Sequence, residues 1–164
     1  MSSAGRIYGR TLEPGLRRHG LWSATTGQRI GNVALDTSPD SRLRISSFNG
    51  SFLVGYEERN LNQGSGYLET PNLFFQRIGK KTGVRVKVNS CSGSAPYYQD
   101  SFYAYSVNKK GQVAGVIEQQ CGENDPLVQY GFVADAKGRV SIVKDSDPEH
   151  IYELLSINNK GIAV

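Results

Sequence analysis

Nothing in the sequence approaches the ~18 consecutive apolar residues that a membrane-spanning helix needs, so a helical span is excluded. Tryptophan and methionine occur once each, and histidine and cysteine twice each. The two histidines, His19 and His150, lie far apart in the chain. There is no Gly-x-Ser-x-Gly nucleophile elbow, no His-Glu-x-x-His pair, no Cys-x-x-Cys pair and no phosphate-binding glycine loop. A hydrolase needs an activated nucleophile beside an oriented base, and these residues do not assemble one. The reading is therefore non-enzymatic, without a cofactor. Met1-Ser2-Ser3-Ala4 lacks a charged segment followed by an apolar one, so no signal peptide is visible.

What is abundant is glycine, 19 of 164 residues, with nine tyrosines and six phenylalanines. The hydrophobic fraction of 38% is enough for the core of one domain or of part of a larger one. Glycine and aromatics in short alternating runs point to strands and tight turns. The net charge of +4 sits at one end. Residues 1–44 hold seven arginines (6, 10, 17, 18, 29, 42 and 44) against Glu13, Asp36 and Asp40, and the rest of the chain is balanced. A solvated face is the first reading of that end, and a surface for an anionic partner or nucleic acid the second.

The chain repeats itself. Tyr105-Ser106-Val107-Asn108-Lys109-Lys110-Gly111-Gln112-Val113-Ala114-Gly115 returns as Leu155-Ser156-Ile157-Asn158-Asn159-Lys160-Gly161-Ile162-Ala163-Val164. Ser47-Phe48-Asn49-Gly50-Ser51-Phe52-Leu53-Val54-Gly55 is a looser copy, and Gly5-Arg6-Ile7-Tyr8-Gly9 half of one. A second motif alternates with it. Gly20-Leu21-Trp22 leads to Gly27-Gln28-Arg29-Ile30, and Gly131-Phe132-Val133 leads to Gly138-Arg139-Val140. A middle copy runs from Leu73-Phe74-Phe75 to Val84-Arg85-Val86-Lys87-Val88. Asn and Gly tolerate the positive φ of hairpin turns, and the flanks alternate as half-buried strands do. In the middle copy Val84, Val86 and Val88 point one way, Arg85 and Lys87 the other.

Strands A and B make the first hairpin, C and D the second. Their recurrence predicts an all-β, β-propeller-like chain of about three four-stranded antiparallel blades, a partial ring. The single repeat domain, 1–164, divides into blades 5–41, 42–100 and 101–150, with a further blade starting at 151–164. A β-sandwich is the competing architecture. A closed ring needs about four or more blades, so the expected partner is the remainder of a longer chain or further copies of this one.

Ser156-Ile157-Asn158-Asn159-Lys160-Gly161-Ile162-Ala163-Val164, and nearly as well Ser106 to Gly115, resemble the HAF-type repeats of bacterial extracellular proteins. Those repeats pair an Ile-Asn-Asn-x-Gly-x-Val-x-Gly segment with a later aromatic hairpin. The name-giving His-Ala-Phe triplet is absent here. The resemblance covers 100–164 best, and implies a surface or periplasmic protein without naming an activity.

In such blades the B–C connections (11–19, 57–71, 117–128) and D–A connections (31–42, 89–101, 144–150) are long and share one face. Long loops on a rigid scaffold carry function. The candidate contacts there are Arg17, Arg18, His19, Tyr67, Tyr97, Tyr98 and His150, suited to a protein or carbohydrate ligand; the tyrosines packing over neighbouring blades is the alternative. Cys91 and Cys121 fall on connections of that same face. Either they form a disulfide, implying an oxidising compartment, or they are two unpaired thiols. Asp125, Asp145 and Asp147 offer oxygen ligands for a Ca²⁺ ion, but no EF-hand spacing, and Asp-Pro is ordinary turn sequence; no metal site is assigned. The functional reading is a non-enzymatic binding or interaction module of a secreted or periplasmic protein. Part of a propeller hydrolase or lyase comes second, and anion or nucleic-acid binding through the arginine-rich end third.

Overall fold

A computed structural model describes residues 5–13, 16–35, 41–59, 72–80, 83–86, 99–120, 125–143 and 153–164. Among these residues there is no helix. Within the described residues eleven strands form three antiparallel sheets. The first holds β1 (Arg6–Glu13), β2 (Leu16–Ser23) and β3 (Arg29–Asn32) in that order. The second holds β4 (Ser41–Phe48), β5 (Phe52–Arg59), β6 (Asn72–Arg77) and β7 (Val84–Val86). The third holds β8 (Gln99–Val107), β9 (Val113–Gln120), β10 (Val128–Ala134) and β11 (Val140–Ile142). Each strand pairs with its sequence neighbour, as short turns favour. A further hairpin begins in 153–164, where Ile157 bridges Ala163.

The turn chemistry explains the repeat. Asn108 Oδ1 accepts the amides of Lys110 and Gln112, and Gly111 closes the turn at φ 80°. Asn158 does the same with Lys160 and Ile162, and Asn49 with Ser51 and Phe52. The C–D turn reuses the device with a carboxylate: Asp135 Oδ1 accepts from Lys137 and Arg139, with Gly138 at φ 83°. The Arg139 amide, foremost, holds the Asp135 carboxyl below its usual range.

The last glycine of the A–B motif has a separate cause. β4 carries a bulge between Ile45 and Ser47, and β8 one between Ala104 and Ser106. Gly55 and Gly115 face these bulges, where a Cβ would overlap the carbonyl oxygens of Arg44 and Tyr103. The two sheets thus bend at the same place, as bulges make them do.

Sheets two and three stack, with β8 lying over β4, β5 and β6. One apolar cluster joins them: Val54, Leu73, Phe75 and Val86 from the second, and Phe102, Ala104, Val113, Ile117 and Phe132 from the third. Phe102 and Phe132 meet edge to face at 5.2 Å, a favoured ring geometry. By strand alternation Leu53, Glu57, Phe74 and Gln76 occupy the other face of the second sheet. That face looks toward the first sheet, since Gln76 Nε2 donates to the carbonyl of Ala34, just after β3. Glu57 there is fully buried (0% exposed), and its carboxylate takes the Arg85 guanidinium through Nε and a second nitrogen. Arg85 lies over the Phe74 ring at 5.2 Å. The alternation expected for Val84–Val86 holds, but Arg85 covers the sheet instead of reaching into water.

The sheets are also tied by their turns. Asn49 Nδ2 donates to the carbonyl of Asn108, and Asn108 Nδ2 to that of Asn158. One asparagine per repeat therefore shapes its own turn and holds the next.

Two expectations need correcting. The connection 11–19 is no long loop: β1 and β2 pair down to Glu13 and Leu16, leaving two residues between them. Those residues are Pro14-Gly15, a strong turn dipeptide. Gly20 and Gly131 are also not equivalent in the sheets. Gly20 pairs with Gly9, whereas Phe132 pairs with Gly115. The first C–D turn is one residue longer, Ser23 to Gly27 against Asp135 to Gly138, which moves the phase by one.

Candidate functional site: the cleft between the first and second sheets

The two junctions between sheets are built from equivalent positions, and they differ. Counting from the central glycines of β1, β5 and β9, Tyr8 stands where Val54 and Ala114 do, and Arg10 where Tyr56 and Val116 do. His19, paired with Arg10, matches Leu73, paired with Tyr56. On the facing strands, Leu43, Arg44 and Ile45 of β4 match Phe102, Tyr103 and Ala104 of β8, by their distance from Asn49 and Asn108.

At the second junction these positions close. Val54, Leu73, Phe102 and Ala104 are buried in one cluster, and Tyr56 meets Tyr103 edge to face with centroids 5.3 Å apart. At the first junction they leave a cleft of about 400 Å³ lined by Tyr8, Arg10, His19, Leu43, Arg44, Ile45, Ser46 and Tyr56. That volume is in the range of small-molecule sites.

The Tyr8 and His19 rings form one wall, stacked at 5.8 Å with 9° between their planes. Tyr8 also packs against Phe48. Burial, slightly offset by Arg10, pushes the Tyr8 phenol up to about 12. The phenol is therefore protonated at neutral pH, and it shares a hydrogen bond with His19 Nδ1 at 2.5 Å. Ser46 lies in the bulge, and its hydroxyl donates to the carbonyl of Ala104, with that of Val54 also within reach. The guanidinium of Arg44 is 60% exposed and 3.8 Å from Glu58, beyond hydrogen-bonding distance. Among the described residues no carboxylate pairs with Arg10.

Of the residues expected at a site, the structure brings only His19 here. Arg17 and Arg18 stand in β2, opposite Leu12 and Thr11, and not on a loop. Tyr67, Tyr97, Tyr98, His150, Cys91, Cys121, Asp145 and Asp147 lie outside the described residues. Asp125 is exposed, and its backbone carbonyl accepts from Gln120 Nε2. Among the described residues no three His, Cys, Asp or Glu side chains converge as metal ligands. Tyr8, Arg10, Arg44 and Tyr56 were missed as site residues. Setting the repeats in register singles out Arg10 and Arg44, which stand where the next repeat has Tyr56 and Tyr103; Tyr8 and Tyr56 carry no such signal.

No protein-family model, curated protein or solved structure matches this chain.

Proposed function

We propose that the chain is a non-enzymatic binding module whose blades stack in propeller fashion and whose ligand sits in the cleft between the first and second sheets. One observation carries this reading: matched positions that seal the second junction leave an open, mixed aromatic and cationic cleft at the first. A rigid seat of this kind, made by strands and not by loops, lowers the entropy lost on binding. The stacking reading draws on the shared strand order, the shared bulge and the asparagine ties between turns. The same turn and bulge glycine give a physical meaning to the HAF-type pattern. On that resemblance the module belongs to a secreted or periplasmic bacterial repeat protein.

Binding is favoured over catalysis by how the reactive groups are engaged. The Ser46 hydroxyl points to backbone carbonyls, and the Tyr8 phenol holds its proton. Thermal unfolding against a panel of small solutes tests the proposal, because a ligand of the folded state raises Tm. The expected result is a class of solutes that stabilises the wild type and loses its effect in Tyr8→Ala. Equal stabilisation of both proteins would place binding elsewhere and reject the cleft.

A further inference from the structure

We infer that the cleft takes a small organic anion on a sugar-like ring, held between Arg10 and Arg44, so that its ligand is an acidic monosaccharide. This rests on the cleft being the binding seat. The positions of Arg10 and Arg44 are those that, one junction along, bring the Tyr56 and Tyr103 rings into contact at 5.3 Å. Arg10 and Arg44 both line the same cavity, and two like charges placed at matched positions of this kind favour an anion between them. An oxyanion there accepts two charge-assisted hydrogen-bonding forks, the geometry in which arginine exceeds lysine.

The only acidic partner in reach of the pair among the described ion pairs is Glu58, on Arg44 alone and at 3.8 Å. That contact is loose and largely solvated, and so weak. A ligand carboxylate competes with it for Arg44. The remaining lining suits a ring with an apolar face: Tyr8 and Tyr56 present aromatic surface, and Leu43 and Ile45 aliphatic surface. A cavity of about 400 Å³ accommodates one such ring with water.

Calorimetric titration with D-glucuronate, with D-glucose and with inorganic phosphate tests this, alongside Arg10→Gln, Arg44→Gln and Glu58→Gln. These substitutions are on exposed or half-buried polar side chains, and circular dichroism confirms that each variant folds. Glucuronate should bind the wild type at least about tenfold more tightly than glucose or phosphate. Each arginine variant should lose about tenfold in affinity, and added salt should weaken binding of the wild type. Glu58→Gln should bind more tightly than wild type by about threefold, since it releases Arg44. That gain is not expected of a merely structural pair. Glucose binding as well as glucuronate overturns the anion assignment. Phosphate binding as tightly as glucuronate overturns the sugar ring. Failure of glucuronate while other solutes still stabilise through Tyr8 rejects the ligand class and leaves the cleft as the seat. Loss of every Tyr8-dependent effect rejects both.

Discussion

The side-chain amide of Asn108 donates to the backbone carbonyl of Asn158, fifty residues on, at 2.9 Å. Asn108 is 3% exposed, and its Oδ1 also holds its own turn. Asn108→Asp keeps the turn acceptor and removes the donor, setting a carboxylate against the Asn158 carbonyl. It should cost about 1–3 kcal/mol, the range for a buried group losing its partner. Asn158→Asp, at the exposed next turn, should cost under about 0.5 kcal/mol. Urea denaturation of both variants checks the contrast.

Gly115→Ala should be among the most damaging small substitutions. Its Cβ would enter the space of the Tyr103 carbonyl oxygen, and backbone cannot yield as a flexible side chain does. A loss of about 3 kcal/mol is expected, at the upper end of overpacking effects. Gly31→Ala meets nothing within 4 Å and has an ordinary φ, so it should be neutral or stabilise by up to about 1 kcal/mol. Chemical denaturation separates the two.

The Glu57–Arg85 pair gives an asymmetric prediction. Arg85 keeps 24% of its side chain in water, whereas Glu57 has none. Arg85→Leu strips a buried carboxylate of its guanidinium and should cost about 3–5 kcal/mol. Glu57→Gln leaves a cation that can still draw on solvent and should cost less. The order of their urea midpoints is the readout.

Alkaline stability should depend on Tyr8. Its phenol moves from an ordinary 10.0 to about 12 on folding. The folded state thus binds the proton more tightly, and that contribution is complete below pH 10. It is lost as pH rises from 10 through about 12, because the unfolded chain ionises first. Tyr103 and Tyr105 are also raised, chiefly by burial, so the useful quantity is the difference between wild type and Tyr8→Phe. Across that window the wild type should lose stability faster than the variant.

Much of the fold was legible because its signals are local. Asn108 to Gly111 and Asn158 to Gly161 each carry their turn within four residues, and the alternation of Phe102 to Tyr105 in β8 and the unbroken apolar run Val113–Ile117 in β9 need no distant information. The length of the β1–β2 hairpin was legible in Pro14-Gly15, a signal outweighed by the expectation of long B–C loops. The cleft was not legible from any single segment. It arises where Tyr8 and Arg10 of β1 meet Leu43 and Arg44 of β4, and only the stacking of two sheets brings them together. Glu57 likewise reads as a surface carboxylate in Tyr56-Glu57-Glu58-Arg59 until Arg85 is placed across β6 from it.

The most direct test of the cleft as a binding seat is nuclear magnetic resonance of the wild-type chain titrated with D-glucuronate, following the ring signals of Tyr8, His19 and Tyr56 and the side-chain signals of Arg10 and Arg44. Saturable shifts concentrated on these residues, with the Tyr130 and Phe132 signals of the third sheet unmoved, are the predicted result. Shifts that spread evenly over the surface, or that leave Tyr8 and Arg44 unchanged while other residues saturate, would contradict it.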